Sequence, residues 1–353
     1  MSIFGCYIPL IPCEMKKFFS LLSVVLIFLS CSERPSDGTI ALLLPDGNIN
    51  PKWNTDAACI TKAIAAYGYT VETYMADDSE EGAQEQVRQL EQALENGVKT
   101  VILTSIDYDA INRSGVLEKY PDINLISYDR LLMNSPYVDI FVGCNPFDIG
   151  KMHAHYILEN FKAMGGTPKT LEVIAGPSRD INAVEFYKGA YSLFGPYYED
   201  NRLTAPSGKV TYDEVSIKTW ATEDVKTEML ARLQASGQVP DFVFCPNDNV
   251  SDGVIQALKE YGCTLEDFPV VTGLDNVGVS AQYILDGYQS ITIDKSLQSI
   301  ADNVAVAVNG FMCGSPVKPS FSFNNGVADI PALFSNFSII TRDDLLQSQD
   351  ARQ

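Results

Sequence analysis

Short apolar segments alternate with longer amphipathic segments along almost the whole chain, beginning at Thr39. The first series has apolar runs at residues 40–44, 71–74, 101–104 and 125–128, separated by segments of helical periodicity at 55–67, 79–96 and 110–119. Successive strands that are joined by a helix pair in parallel, because a parallel pair needs a long crossover connection. The pattern therefore predicts βαβ units built around a parallel sheet.

A second series of the same kind follows the apolar run at 138–143. It predicts helices at 147–161, 182–197, 223–235, 252–261 and 277–286, and strands at 171–175, 210–215, 242–245, 270–272 and 290–293. A chain of 353 residues with 46 % hydrophobic residues is large enough to form two such lobes. The predicted fold class is therefore α/β, with two doubly wound parallel-sheet lobes. Ligands in such folds bind outside the carboxyl ends of the strands, so a cleft between the two lobes is the expected site.

Composition excludes several classes of function. A formal net charge of −20 repels the phosphates of DNA and RNA, so we expect no nucleic-acid partner. The eight cysteines and two histidines offer no zinc-ligand spacing, and no P-loop, G-x-G-x-x-G or G-x-S-x-G motif is present. We therefore expect no metal, no cofactor and no enzyme. A glycosidase that uses two cleft carboxylates is the alternative that composition leaves open.

The N-terminal segment predicts an export signal that ends at a lipidated cysteine. Met15-Lys16-Lys17 precedes an apolar run at 18–29 and then Ser30-Cys31, which is similar to a bacterial lipobox. The run is too short to span a bilayer as a helix. We expect residues 1–30 to be a signal peptide, of which 1–14 lie upstream of a second start methionine. Residues 31–38 would form a lipidated tether, and cleavage without lipidation is the alternative.

Polar and aromatic side chains follow the ends of the predicted strands. A single Asp or Asn in such a place is explained by helix capping. Both tryptophans of the chain also lie there, and a flat indole packs against the C–H face of a sugar while carboxylates, amides and cations bond its hydroxyls. The pattern indicates a carbohydrate site, for which the candidate residues are Lys52, Trp53, Asp107, Arg130, Asn145, Asp180, Asn182, Trp220, Asn247, Asp275 and Lys295.

Eight motifs give the chain a family resemblance over about Thr39 to Thr341. They are KWNTD (52–56), TSIDYDAI (104–111), ISYDRLLMNS (126–135), RDINA (179–183), KTW (218–220), CPNDNVSDG (245–253), TGLDN (272–276) and ITIDKS (291–296). The chain resembles type I periplasmic substrate-binding proteins, above all the xylose-binding and multiple-sugar-binding receptors of bacterial ABC importers. Lys52 stands where the family commonly has Arg, and Cys144-Asn145-Pro146 departs from a frequent F-D-N triplet.

The resemblance implies that the candidate residues contact the sugar and that closure follows hinge motion of two rigid lobes. It implies three crossings between the lobes: near Gly143–Pro146, near Ile293–Lys295, and after Cys313 but before the final strand. The N-terminal lobe would comprise 39–144 and 294–313, the C-terminal lobe 145–293 and 314–341, and residues 342–353 a tail.

The expected partners are a monosaccharide, the permease of an ABC importer and, through the lipid anchor, a membrane, with the receptor itself a monomer. The main alternative is a sensor subunit for a sugar or a furanosyl autoinducer that docks on a membrane histidine kinase.

Overall fold

The computed structural model describes residues 38–350. The predicted signal peptide, Cys31 and all of the predicted tether except Gly38 lie outside the described residues. Within the described part, none of the helices combines the length and the apolar character that crossing a bilayer requires. The five cysteines in this part are free thiols.

Strands and helices alternate through most of the described residues. The strands are β1 Thr39–Pro45, β2 Thr70–Ala76, β3 Thr100–Leu103, β4 Asn124–Tyr128, β5 Ile140–Gly143, β6 Lys169–Val173, β7 Leu203–Thr204, β8 Phe242–Phe244, β9 Val270–Val271, β10 Thr292–Lys295, β11 Phe321–Asn324, β12 Asp329–Phe334 and β13 Phe337–Ile340. The helices are α1 Lys52–Ala65, α2 Glu80–Glu95, α3 Tyr108–Ser114, α4 Val116–Lys119, α5 Pro146–Ala163, α6 Ile181–Glu199, α7 Tyr212–Val215, α8 Thr222–Ser236, α9 Asp248–Tyr261, α10 Ser280–Asp286, α11 Leu297–Met312 and α12 Arg342–Asp350.

The strand predicted at 210–215 is wrong, because this segment forms the short helix α7. The Glu214 carboxylate accepts from the Thr211 N–H at 2.9 Å and from the Thr211 hydroxyl at 2.7 Å. This capping interaction starts a helix although the preceding residues have strand propensity.

The first lobe is built on a seven-stranded sheet in the order β11-β12-β5-β4-β3-β1-β2. Its neighbouring strands pair in parallel except at the β11–β12 hairpin. Alternate residues of β1 enter different cores: Ile40 and Leu42 belong to one, and Ala41 and Leu43 to the other. Helices α1 and α11 contribute apolar side chains to the core that contains Ile40, and α2 contributes to the core that contains Ala41. Burial on both faces explains why the strand is a continuous apolar run.

The second lobe is built on a parallel four-stranded sheet in the order β7-β6-β8-β9. Helices α5 and α6 pack together, as do α8 and α9. The C-terminal helix α12, within the segment predicted as a tail, packs against α10. The two lobes match the predicted type I fold with doubly wound parallel sheets.

Three chain segments pass between the lobes, and the strands before the third lie in a different lobe from the predicted one. The chain crosses after β5 and again at β10, which pairs antiparallel with β13. After α11, however, β12 adds to the first sheet beside β5 and β11 pairs with β12. Residues 321–334 therefore lie in the first lobe, not in the second as predicted, and the third crossing comes after Phe334. The remaining domain boundaries stay predictions.

Candidate functional site

Side chains near the carboxyl ends of strands in both sheets line one cavity between the lobes. It is lined by Asn50, Lys52, Trp53, Asp78, Asp129, Arg130, Asp180, Asn182, Phe186, Trp220, Asn247, Leu274, Asp275 and Lys295. Nine of the eleven candidate residues from the sequence are in this set. That these nine contact a ligand stays a prediction, but the topology brings them to one place.

Both tryptophans reach the cavity, from opposite lobes. Trp53 lies in the first turn of α1, which begins before the helix predicted at 55–67, and the Lys52 Nζ is 3.6 Å from its ring centroid. Trp220 precedes α8, and its Nε1 donates to Asp180 Oδ2 at 3.1 Å. Gly176 makes room for this indole, because a Cβ there would lie 2.0 Å from the ring. The ring is therefore fixed in orientation by a hydrogen bond and by a close backbone approach.

Asp129 is the centre of the charged network in the cavity. Its Oδ2 lies 3.0 Å from Lys295 Nζ and 3.5 Å from Lys52 Nζ. Its Oδ1 accepts from Asn182 Nδ2 of the second lobe at 3.0 Å. Burial alone would raise the pKa of Asp129, but the two ammonium groups outweigh it and hold this pKa well below its usual range. The carboxylate is therefore ionised at neutral pH.

Asp275 occupies the equivalent place at the end of the second sheet. Its Oδ1 is 3.1 Å from Lys295 Nζ, and its Oδ2 accepts from Asn50 Nδ2 of the first lobe at 3.1 Å. Asp129 and Asp275 both have left-handed backbones, with φ of 60° and 92°. Non-glycine residues adopt this region only when their surroundings impose it, and such strain concentrates at binding sites.

Two arginines and two aspartates form a network across the cleft, which we call the Arg–Asp clasp: Asp78 and Arg130 from the first lobe, Arg179 and Asp180 from the second. Arg130 lies 2.8 Å from Asp78 Oδ2 through Nη2 and 2.8 Å from Asp180 Oδ2 through Nε. The Arg179 Nη2 donates to the backbone oxygen of Asp78 at 2.7 Å and lies 3.3 Å from its Oδ1.

Each lobe thus presents one cation and one anion to the other. Burial would raise the pKa of Asp78, but the two guanidinium groups lower it below its usual value. With Asn182–Asp129 and Asn50–Asp275, these pairs describe a closed cleft.

One buried acceptor that faces this cavity is unused. Among the residues that the structure describes, Asn182 Oδ1 has no hydrogen-bond partner, while its Nδ2 is engaged by Asp129. A buried amide oxygen left without a donor is costly. The atom is therefore suited to accept a hydrogen bond from a ligand hydroxyl.

The structure does not bring Asp107 and Asn145 to the cavity. Asp107 Oδ1 accepts from the N–H groups of Asp109 and Ala110 at the start of α3, and the residue faces a separate groove between the lobes that shares no lining residue with the cavity. Asn145 Oδ1 accepts from Phe147 N–H at the start of α5. In the structure these two residues cap helices, as the alternative interpretation from the sequence has it.

Five lining residues were not among the candidates: Asn50, Asp78, Asp129, Phe186 and Leu274. Asp129 directly precedes Arg130 in the ISYDR motif, so its place after β4 was a usable signal. Asp78 lies just before the start of α2, where the helix dipole alone explains an acidic residue. Phe186 lies inside α6, where nothing in the sequence distinguishes it from a core residue.

A second cavity of about 240 Å³ lies on the hinge side of the first. It shares Lys52, Asp129, Asp275 and Lys295 with the first cavity and is otherwise lined in part by α11. These four charged residues therefore separate the two spaces. Among residues 38–350, no group of three or more His, Cys, Asp or Glu side chains is arranged to hold a metal ion.

Comparison with known proteins identifies the family. A family model described as a periplasmic binding protein domain matches residues 40–314. The chain belongs to the periplasmic binding protein family. This confirms the resemblance inferred from the motifs and the type I fold predicted from the strand and helix pattern.

The relatives of this periplasmic binding protein are sugar receptors. It is 30 % identical over 331 residues to the multiple sugar-binding periplasmic receptor ChvE of Rhizobium radiobacter, covering 90 % of this chain and 92 % of the relative. It is 30 % identical over 302 residues to the multiple sugar-binding periplasmic protein SbpA of Azospirillum brasilense, covering 83 % of each.

This chain also shares its fold with a relative whose structure has been solved. An ABC transporter solute-binding protein of Clostridium phytofermentans, solved with bound β-D-glucose, superposes with a TM-score of 0.82 at 29 % identity, covering 89 % of this chain and 97 % of that one. These relatives are binding proteins by name, not enzymes. A fructose-binding domain of a hybrid two-component system, at 18 % identity and a TM-score of 0.70, shares the fold alone.

Proposed function

We propose that this chain is an extracytoplasmic receptor for a monosaccharide, an aldopentose or an aldohexose, which closes on its ligand and delivers it to an ABC importer. The observation that carries the proposal is the convergence of both tryptophans with carboxylate, amide and cationic side chains on one buried cavity between two lobes. Indoles suit the C–H faces of a sugar, and mixed donors and acceptors suit its hydroxyls.

The charge pairing in the cavity supports a neutral ligand. Within the described residues, each cation that lines the cavity already has a carboxylate partner: Lys52 and Lys295 share Asp129, and Arg130 is held in the Arg–Asp clasp. An amino acid would need its own ionic partners for two charged groups. A sugar needs hydrogen bonds alone, of the kind that the unused Asn182 Oδ1 offers.

The relatives support import more than sensing. The receptor ChvE and the protein SbpA carry multiple sugar-binding names, and the solved relative is a transporter component with glucose bound. The sensor alternative is supported only by the fold that this chain shares with a domain of a hybrid two-component system.

The sequence supports an exported and membrane-anchored form of this receptor. The charged and apolar segment before Cys31 is the basis for lipidation at that cysteine. Membership of a periplasmic family is consistent with export. Mass spectrometry of the native N-terminus would detect the acylated Cys31, and an unmodified cysteine would refute the lipid anchor.

A thermal-shift and fluorescence screen tests the ligand class. Because the chain has two tryptophans and both line the cavity, D-glucose, D-xylose, D-galactose or L-arabinose should change the tryptophan emission and raise the Tm of the mature domain. A ligand at about 100 times its Kd stabilises the folded form by about 2.7 kcal/mol. No response to any of the four sugars, with a response to L-leucine or adenosine, would refute the proposal. The variant Trp220→Phe should lose part of the emission change and keep the Tm response in reduced form.

A further inference from the structure

The loop after β9 carries Asp275 in a strained conformation, and three successive amides of this loop are anchored. Asp275 and the following Asn276 both have positive φ, of 92° and 53°. The Asp275 N–H donates to the Ile293 carbonyl at 2.9 Å, and the Asn276 N–H donates to Thr292 Oγ1 at 3.2 Å. The Val277 N–H donates to Asp248 Oδ2 at 3.0 Å. Three successive amides thus reach either the hinge strand β10 or Asp248.

Asp248 is the point where these anchors meet. The Thr292 hydroxyl, which accepts from Asn276, lies 3.0 Å from each carboxyl oxygen of Asp248. The Asp248 N–H donates to the Leu274 carbonyl at 3.0 Å, directly before Asp275. The Gln289 amide donates to Asp248 Oδ1 at 2.9 Å. Asp248 is 4 % exposed and does not line the cavity, so its hydrogen bonds serve the protein itself.

The close packing around this carboxyl leaves no room for rearrangement. A Cβ at Gly273, two residues before Asp275, would lie 2.1 Å from Asp248 Oδ1 and 2.3 Å from Gln289 Nε2. The loop backbone therefore rests directly on the carboxyl. A rigid support of this kind holds a binding side chain in the geometry its ligand needs.

We propose that Asp248, together with Thr292 of the hinge strand, is the positioning residue that holds Asp275 in its sugar-binding geometry and ties it to the hinge. The inference rests on the proposed function, because it takes Asp275 as a ligand contact. Asp275 in turn contacts Asn50 of the first lobe and Lys295 of β10. Loop, hinge strand and opposite lobe therefore shift together when the support is lost.

The substitution Asp248→Asn tests the support without changing the size of the side chain. The new amide NH₂ replaces one of the two carboxyl oxygens, so it faces either the Val277 N–H or the Gln289 amide N–H. Two donors then face each other, and one buried donor is left unpaired. The titrant is the sugar of the four-sugar panel that raises the Tm most. Asp248→Asn should bind this sugar at least about tenfold more weakly, because an unpaired buried donor carries a free-energy penalty of that size. The matched control is Asp241→Asn, at the opposite end of the same sheet. Its carboxyl also accepts several hydrogen bonds, from Thr170 N–H, the Thr170 hydroxyl and Lys169. This control should bind as the wild type does.

Two further comparisons separate positioning from general stability. In the double variant with Asp275→Asn, the loss should be no larger than for Asp275→Asn alone, because Asp248 acts through Asp275. Thr292→Val should weaken binding, and Thr292→Ser, which keeps the hydroxyl, should restore it. This second pair decides the question where Asp248→Asn does not fold.

Hydrogen exchange of the segment 272–278 gives a readout that needs no sugar. Faster exchange of these amides in Asp248→Asn, with no change in Asp241→Asn, supports the inference. Wild-type binding and wild-type exchange in Asp248→Asn, or a loss that adds in full to that of Asp275→Asn, would overturn it. If the wild type binds none of the four sugars and responds to L-leucine or adenosine, the proposed function fails, and the exchange result still decides whether Asp248 holds the loop.

Discussion

Removing the Arg179 side chain tests whether contacts between the lobes hold the ligand in place. The Nη2 of this residue makes two contacts with Asp78 across the cleft, to the backbone oxygen at 2.7 Å and to Oδ1 at 3.3 Å. The side chain is 14 % exposed, so water screens the interaction only weakly. Arg179 does not line the cavity, so its removal leaves the ligand contacts untouched.

The size of the effect follows from these two contacts. Hydrogen bonds to charged groups contribute about 1.5–3 kcal/mol. Asp78 keeps Arg130 as a partner, so Arg179→Ala leaves no bare buried charge. The closed form should therefore lose about 1.5–3 kcal/mol relative to the open one, which raises the Kd about 10- to 100-fold. Most of the change should appear as faster dissociation, since the closed cleft must open before a bound sugar can leave.

Stopped-flow tryptophan fluorescence with the best-binding sugar of the panel measures both rates. Arg88→Ala is the control, because Arg88 pairs with Glu85 on the exposed surface of α2 and should change the Kd less than about twofold. If Arg179→Ala dissociates at the wild-type rate, the contacts between Arg179 and Asp78 do not contribute to closure.

Two further predictions concern Asp129. Asp129→Asn removes the carboxylate that Lys52 and Lys295 share, while Lys52 keeps Asp56 at 2.7 Å and Lys295 keeps Asp275 at 3.1 Å. The lost hydrogen bonds to charged groups cost about 1.5–3 kcal/mol, so calorimetric titration should show sugar binding about 10- to 100-fold weaker. A Kd within about twofold of wild type would refute the central role of this residue. In pH-dependent thermal unfolding, the stability difference between wild type and this variant should be constant from about pH 8 to 5 and narrow below about pH 4. The reason is that the pKa of Asp129 is lower in the folded state than in the unfolded state. Such a carboxyl contributes its full stabilisation above its unfolded-state pKa and loses it as the pH falls through its folded-state pKa. A stability difference that already narrows near pH 6 would contradict the lowered pKa.

The sequence predicted the lobes well because their strands are buried on both faces. A strand such as β1, with Ile40 in one core and Ala41 in the other, is apolar throughout and easily recognised. The edge of the first sheet was assigned to the wrong lobe for the opposite reason. Phe321 in the β11 hairpin is 66 % exposed, and whether such a strand adds to β5 or to the other sheet depends on pairing that no local pattern encodes.

In the candidate site, the sequence could not distinguish residues that only cap a helix from residues that cap a helix and also reach the cavity. Asp107 and Asp180 look alike in the sequence, since both follow a strand and both accept from an amide at the start of the next helix. Only Asp180 has its second carboxyl oxygen engaged by Arg130 of the other lobe and by Trp220. Capping uses one oxygen and leaves the second available, so a cap does not exclude a role in the site. What decides the role is which side chains the opposite lobe presents, and that depends on the relative placement of two sheets whose residues are far apart in the chain.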